Sequence, residues 1–418
     1  MTEKKADINL LKEGKEYVRP FFQNATGLDI FYPLKEEGWF SPEKNLAPFI
    51  DEKQGLHIIP HWPVLEYLER VADESVSPEH RQYAEELMQI LGEVTRPPNG
   101  KKVDNFDTWH SFSKIISRMP TDVIKIEDIE LIADWLDTQF IGSSLVVHEI
   151  GHEFLPKLLK SDDQHQIELA IRVIDVLSRI KWVDKKVGEI VTHKVPITAV
   201  EPYWLNEIFQ SNAETIGYKC GLTVLNMLRS RLTEVTNVNN LDRLSYLWCS
   251  AIEDHQQNRG AKEIKSILLS TLCDALLGYA EKNSLEAKEY IRQMFNDESQ
   301  IAVRLAIYAT DKRFDLFSGV FLEVFKPRLL DVRLMHELYS LLAHHFDELP
   351  LENKTQIIEA IEELSEIWIQ DREKTATANA ELRLSWLSAL KETKDKRVHE
   401  LYAKYMALTK HELDWPAS

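Results

Sequence analysis

Apolar residues recur at helical spacing along nearly the whole chain, and this pattern constrains the fold more than any other feature. Ile129, Ile132, Ala133 and Leu136, for example, have the i, i+3, i+4, i+7 spacing of one helix face. Comparable stripes predict helices at 65–71, 83–91, 115–119, 167–180, 216–228, 241–252, 264–277, 301–308, 335–342, 357–367 and 382–390. Only 14 of the 418 residues are glycine, about half the usual share, so the turns that sheets and barrels need are scarce. The sequence therefore predicts an all-α fold.

The spacing of the stripes suggests how the helices are organised. Successive helices start roughly 20 residues apart, which suits an irregular HEAT-like α-solenoid with about 40 residues per helix pair. A globular all-α bundle is the alternative. Residues 1–62 are instead rich in aromatic residues and proline, and we predict that they form an aromatic N-terminal cap on a helical-repeat array at 63–418. The β-branched residues of 187–200 allow a short strand or an extended loop.

Charge and cysteine content exclude several classes of protein. The formal net charge is −18, which disfavours binding to nucleic acid or an anionic membrane, because both are held through clustered basic residues. A DNA-binding solenoid would need a concealed basic groove, for instance one with Arg229, Arg231 and Arg243. The three cysteines are widely spaced, no apolar run is long enough to span a membrane, and no signal-peptide pattern follows Met1. These features predict a cytoplasmic protein.

One short motif suggests an enzyme. Residues 148–152 read HEIGH, a literal HExxH. On a helix, His148 and His152 share a face and would hold one Zn²⁺ while Glu149 activates a water molecule. A third ligand would have to come from farther along the chain, with Glu207 and Glu214 as the best candidates. The motif therefore allows a zinc metallopeptidase as an alternative function.

The surroundings of the motif argue against that alternative. Charged Glu153 follows it directly, and Pro156 comes soon after. Leucines occupy positions 155 and 158, where the extended HExxHxxGxxH motif has a glycine and a third histidine. The hundred residues upstream contain no pattern of strands on which a peptide substrate would pair. Elsewhere, His344 and His345 are adjacent, so on a helix they should point in different directions and not bind one ion.

Three blocks of sequence resemble a helical module of bacterial multi-domain ATPase-type and antiviral-defence proteins. They are GWFSPEKN at 38–45, IPHWPVLEYLE at 59–69 and YLWCSAIEDHQQN at 246–258, and the resemblance extends over residues 20–390. It implies HEAT-like repeats that sense a phage product or regulate a nuclease, NADase or ATPase partner. It also implies that the module keeps a pair like His148 and Glu149 without the second histidine. This chain contains no effector domain of the kind that accompanies the module.

The third block ends in a dense polar run at 251–258. Such a run at the end of an apolar helix can cap that helix and the next one. Alternatively, Glu253, Asp254, His255 and Asn258 form a contact patch for a protein partner. Taken together, the sequence predicts a non-enzymatic interaction or regulatory protein of bacterial antiphage defence that needs no metal or other cofactor, with the zinc peptidase as the alternative.

Overall fold

The structure is a computed structural model, and it describes residues 11, 14–52, 56–138, 143–187, 190–237, 241–248, 251–252, 263–365 and 372–409. These residues are mostly helical, which confirms the predicted all-α class. Their contacts divide the chain into two compact units, Met1–Asn212 and Ala213–Ser418. The predicted boundary between a cap and an array at residue 62 stays a prediction.

The described residues of the first unit form short helices and two strand pairs. Its α-helices are α1 Lys15–Asn24, α2 Phe31–Glu36, α3 Leu65–Glu74, α4 Arg81–Thr95, α5 Phe106–Arg118, α6 Glu130–Leu136, α7 Ser143–His148, α8 Leu155–Leu159 and α9 Gln164–Ser178, with a π-helical segment Glu149–Phe154 between α7 and α8. Short 3₁₀ helices span Pro42–Lys44, Pro78–His80, Thr121–Val123 and Ile126–Ile129. The strands are β1 Phe49–Asp51, β2 Leu56–Ile58, β3 Lys181–Val187 and β4 Ile190–Ile197.

The N-terminal aromatic residues pack onto α3 and α4. Phe22 contacts Tyr67 of α3, and Phe31 contacts Tyr83 of α4 edge to face. Phe40 stacks on the same Tyr67, so the rings of this segment are joined to the helices that follow it. Burial of such rings is a large apolar contribution to folding.

Helix α5 lies at the centre of the first unit. Trp109 and Phe112 on α5 are fully buried, and the Phe112 ring packs against Trp62 and Trp135 at centroid distances of 6.4 and 6.0 Å. Asn105 caps the N-terminus of α5 by accepting hydrogen bonds from two backbone amides. The helix ends before Pro120, as the sequence predicts.

Both strand pairs are antiparallel. Strand β1 pairs with β2, and β3 pairs with β4. Strand β4 agrees with the expectation of a strand within 187–200. The pairing of β1 with β2 was not predicted from the sequence.

The second unit continues the helical pattern. The division between the units falls within the helical segment α10 Pro202–Asn237, which is interrupted at Gly221, where φ is +61°. The later α-helices are α11 Ser245–Trp248, α12 Ile264–Lys282, α13 Ser284–Phe295, α14 Gln300–Lys312, α15 Phe314–Val324, α16 Met335–His345, α17 Leu351–Glu363, α18 Arg372–Ser388 and α19 Lys396–Thr409. Short 3₁₀ helices span Pro327–Leu329, Val332–Leu334 and Phe346–Glu348. Within the predicted helix at 241–252, the described residues are helical only over Ser245–Trp248.

Helices of the second unit contact both their immediate and their next-but-one neighbours. Helix α14 packs against α13 and α15, and also against α12 and α16. The contact between α14 and α16 includes the buried ion pair Arg304–Glu337 and the pair Asp311–His344. In both pairs the second residue is 33 positions after the first, so the two helices run parallel there. None of the described helices combines the length and apolar character needed to cross a membrane.

Candidate functional site

The HExxH motif lies where α7 passes into the π-helical segment. Ile150, Gly151 and Phe154 are buried, whereas His148 is exposed and His152 is half-buried. The imidazole rings of His148 and His152 have centroids 5.3 Å apart, so the two histidines share a face, as expected. Single π-helical turns are frequent at functional sites.

The glycine of the motif has a packing role. A Cβ atom on Gly151 would lie 2.2 Å from Cδ1 of Ile208 on α10. Such a distance is far inside van der Waals contact, so a larger residue here would displace Ile208. The close approach of Ile208 therefore explains a glycine at position 151 without zinc chemistry.

The predicted third ligands are not seen to complete a zinc site. Glu207 accepts a hydrogen bond of 2.9 Å from the Tyr203 hydroxyl, and Glu214 is exposed in the second unit. Over the described part of the chain, the residues that bring three potential ligand atoms together are Asp311, His344 and His345. Zinc binding by His148 and His152 stays a prediction.

Two other histidines of the first unit, His61 and His110, have shifted pKa values. Nδ1 of His61 is 2.6 Å from Oδ2 of Asp107 on α5. This hydrogen bond raises the pKa of His61 and lowers the pKa of Asp107, against the opposing effect of partial burial. One turn farther along α5, burial lowers the pKa of His110, with smaller contributions from the positive charges of Lys114 and His148.

Buried polar groups hold the base of the β1–β2 hairpin. The Asn105 side-chain amide donates to the carbonyl oxygens of Leu46 and Pro60, at 3.1 and 2.8 Å, on the two sides of the hairpin. The Thr108 hydroxyl donates to the side chain of Asn45 at 2.8 Å. Asn45, Asn105 and Thr108 are buried. The hairpin is therefore fixed to the N-terminus of α5, because breaking these hydrogen bonds would leave buried polar groups without partners.

The hairpin exposes apolar side chains. Phe49 is 52% exposed, and Ile50, Leu56 and Ile58 are also exposed. Phe49 lies directly opposite Ile58, and Leu56 is on the same face, since alternate residues of a strand share a face. Ile50 lies on the opposite face of β1. We call Phe49, Leu56 and Ile58 the hairpin patch. Contiguous exposed apolar residues of this kind mark interaction surfaces.

A second cluster of chemically active side chains lies in the second unit. Nδ1 of His344 is 2.8 Å from Oδ1 of Asp311, and Nε2 of His345 is 3.4 Å from the same oxygen. The other oxygen of Asp311 accepts a hydrogen bond of 3.0 Å from Ser340, and Nδ1 of His345 is 3.0 Å from Oε1 of Glu348. Asp311, His344 and His345 are therefore a candidate set of metal ligands.

The sequence predicted that His344 and His345 point in different directions, but both side chains contact Oδ1 of Asp311. That expectation assumed a continuous helix, but α16 ends at His345, whose φ of −123° is not helical. The changed backbone direction brings Nε2 of His345 to the oxygen that His344 also contacts. Sequence spacing alone gives no signal for this, because it does not mark the last residue of a helix.

The predicted partner patch lies outside the described residues. Glu253, Asp254, His255 and Asn258 all belong to 253–262, which the structure does not describe. Two residues of the DNA-binding alternative are already engaged or buried: Arg229 forms an ion pair with Asp297, and Arg231 is buried.

Comparison with known proteins gives no family for this chain. No protein-family model matches it, and no curated protein matches it significantly. The resemblance to the defence-associated helical module therefore stays a prediction.

Proposed function

We propose that this chain is a non-enzymatic interaction or regulatory protein that presents the hairpin patch to a protein partner. The observation that carries the proposal is the combination of a fixed hairpin base and exposed apolar side chains on its strands. Asn105 ties both sides of the hairpin to α5, whereas Phe49 and its neighbours remain exposed. Exposed apolar residues oppose solubility, and a rigidly held patch loses little conformational entropy on binding.

An extended segment of a partner protein suits this surface best. Among the described residues, β1 and β2 form a two-stranded sheet with no third strand. An added strand would hydrogen-bond to one outer edge, and its apolar side chains on the same face would pack beside those of the hairpin patch. The net charge of −18 favours a partner with a basic surface, because opposite charge speeds encounter.

The packing of the second unit supports the repeat architecture of the proposal. Contacts between next-but-one helices that run parallel are typical of stacked helix pairs. The pair Arg292–Glu323 links α13 to α15 across 31 residues, and Arg304–Glu337 links α14 to α16 across 33. We therefore propose a HEAT-like array whose repeat is somewhat shorter than the 40 residues expected from the sequence.

The biological setting follows from the sequence resemblance. We place the protein in the bacterial cytoplasm, in antiphage defence, where the partner would be a phage protein or a nuclease, NADase or ATPase effector. Glu253, Asp254, His255 and Asn258 remain proposed as a second contact patch.

Co-purification tests the proposal. Tagged wild-type protein and the variant Phe49→Glu would be isolated from the native bacterial cells, and associated chains identified by mass spectrometry. We expect a stoichiometric partner that is lost with Phe49→Glu. The control is Leu285→Glu, which changes an apolar side chain of the second unit that is 78% exposed and should retain the partner. Retention of the partner by Phe49→Glu would contradict the role of the hairpin patch.

The zinc metallopeptidase remains the second candidate, since the His148 and His152 rings lie side by side on a π-helical turn. In that function both histidines would be ligands and Glu149 the general base. It requires zinc-dependent peptide cleavage that Glu149→Gln abolishes while zinc content is unchanged. Absence of cleavage by zinc-loaded protein would count against it.

A further inference from the structure

The C-terminal ends of α14 and α16 bring together one carboxylate and two imidazoles. Asp311 is the penultimate residue of α14, and His344 and His345 are the last two residues of α16. Both histidines contact Oδ1 of Asp311, at 2.8 and 3.4 Å. Asp311 is 33 positions before His344 in the sequence, so it is the packing of the two helices that creates the cluster.

The donor atoms suit a divalent transition metal. Imidazole nitrogen with carboxylate oxygen is a common ligand set for Zn²⁺, and two histidines with one carboxylate leave a position for water. Neighbouring ligand atoms around a tetrahedral zinc ion are roughly 3.3 Å apart, as follows from bond lengths near 2.1 Å. The 3.4 Å separation already fits, and the 2.8 Å separation needs a small outward movement of His344.

The outer contacts match those that support metal ligands. His345 faces Asp311 with Nε2 and Glu348 with Nδ1, and a ligating histidine commonly donates its other N–H to a carboxylate. Ser340 donates to Oδ2 of Asp311 and leaves Oδ1 toward the histidines. Phe314 stacks on His345 with centroids 4.1 Å apart and an interplanar angle of 3°, which fixes the plane of the ring.

Burial distinguishes the three ligands. The Asp311 side chain is only 4% exposed, whereas that of His344 is 58% exposed. Burial holds the Asp311 carboxylate in place as a ligand, and the exposed side of the cluster at His344 gives an ion a path to the site. Two turns earlier, the buried Arg304–Glu337 pair holds the same two helices together, so the site is preorganised.

A purely structural role accounts for part of the cluster. Nε2 of His345 is 3.1 Å from the backbone carbonyl oxygen of Asp311, and a histidine that donates there satisfies a carbonyl at the end of α14. That bond explains His345 but not the approach of exposed His344 to Asp311. A metal ion would bind the nitrogen and oxygen atoms that approach one another here.

We propose that Asp311, His344 and His345 bind one divalent transition-metal ion of the zinc class. The ion joins the ends of α14 and α16 through two nitrogens and one oxygen. The proposal is independent of the hairpin patch and of the HExxH motif, which lies in the other unit.

Calorimetric titration of metal-free, full-length protein with Zn²⁺ tests the site. We expect one saturable equivalent in the wild type, at least about 100-fold weaker in His344→Gln and about tenfold weaker in Glu348→Gln, as for outer-contact changes. His148→Gln is the matched control and should bind like the wild type. With Co²⁺ as the probe, the wild type and His148→Gln should give the visible absorption of a tetrahedral ion, and His344→Gln should not.

Three results would overturn the assignment. They are no saturable zinc binding by the wild type, wild-type affinity in both His344→Gln and Asp311→Asn, and loss of the equivalent in His148→Gln alone. The last result would place the ion at the HExxH motif. Circular dichroism of each variant separates loss of the site from loss of the fold.

Discussion

His61 and His110 both lie near Asp107, yet their surroundings shift their pKa values in opposite directions. His61 is paired with Asp107, which favours its protonated form, whereas His110 is disfavoured as a cation by burial and by nearby positive charge. The pKa of His61 is therefore raised and that of His110 lowered from the same reference of 6.5.

NMR titration of the ring protons should show this order directly. We expect His61 to titrate above pH 6.5 and His110 below it, and Asp107→Asn to lower both pKa values, since the carboxylate raises each of them. His61 and His110 titrating together would contradict the pairing.

The hydrogen-bonded pair of His61 and Asp107 makes the free energy of unfolding depend on pH. The contribution of His61 is fully present below its unfolded pKa of 6.5 and is lost as pH rises through its raised folded pKa. That of Asp107 is present above its unfolded pKa of 3.8 and is lost as pH falls through its lowered folded pKa. The pair therefore stabilises the hairpin base most between these two reference values.

The buried ion pair Arg304–Glu337 makes a stronger prediction. Its side chains are 1% and 2% exposed, and Arg304 donates two hydrogen bonds of 2.8 and 2.6 Å to Glu337. Glu337→Ala would leave the guanidinium charge buried without this partner, so we expect a loss of about 3–5 kcal/mol in the free energy of unfolding, measured with urea.

A surface pair provides the control. Glu323→Ala removes one of the two carboxylate partners of Arg292, on the solvent side of α13 and α15, and its effect should be too small to measure. Equal effects of the two substitutions would contradict the assigned difference in burial.

Helix contacts in the second unit depend on two glycines. A Cβ atom on Gly278 of α12 would lie 2.0 Å from the carbonyl oxygen of Glu214, and one on Gly217 of α10 would lie 1.7 Å from that of Ala275. Both contacts are with backbone, which cannot turn aside as a side chain can. The two helices approach closely because these positions have no side chain.

Gly278→Ala should therefore destabilise the protein by about 2 kcal/mol or more through overpacking. Gly319→Ala on α15 is the matched control: nothing lies within 4 Å of its added Cβ, and the better helix propensity should stabilise by up to about 1 kcal/mol. Thermal or urea unfolding measures both, and stabilisation by Gly278→Ala would contradict the close approach.

Sequence patterns predicted elements well where the pattern is long and clearly ended. Helix α5 ends before Pro120, and the stripe of α6 begins and ends within one residue of the helix. The three-residue strands β1 and β2 are too short for an alternating pattern to be read. Helix α13 was missed because its buried stripe begins with Ala287 and Tyr290, which are weakly apolar.

The candidate sites were predictable to different degrees. The shared face of His148 and His152 follows from their spacing, since residues four apart are neighbours on a helix. The Asp311–His344–His345 cluster does not, because it depends on the end of α16 and on the packing of α14. The hairpin patch likewise depends on the tertiary contacts of Asn105, which no local pattern reveals.

At the scale of the whole molecule, the net charge of −18 should govern how fast a partner binds. We expect the association rate constant with a basic partner to fall at least about tenfold between 50 and 500 mM salt, because screening weakens long-range attraction. The dissociation rate should change much less, since apolar contacts at the hairpin patch resist salt. Surface plasmon resonance over this salt range measures both, and a salt-independent association rate would contradict electrostatic steering.

Binding of the purified partner to hairpin variants tests the interaction function most directly. Phe49→Glu and Leu56→Glu should each raise the equilibrium dissociation constant at least about tenfold, equivalent to about 1.4 kcal/mol, whereas Leu285→Glu should leave it unchanged. Wild-type affinity in both hairpin variants, with their fold intact, would contradict the proposal that this hairpin is the surface through which the protein acts.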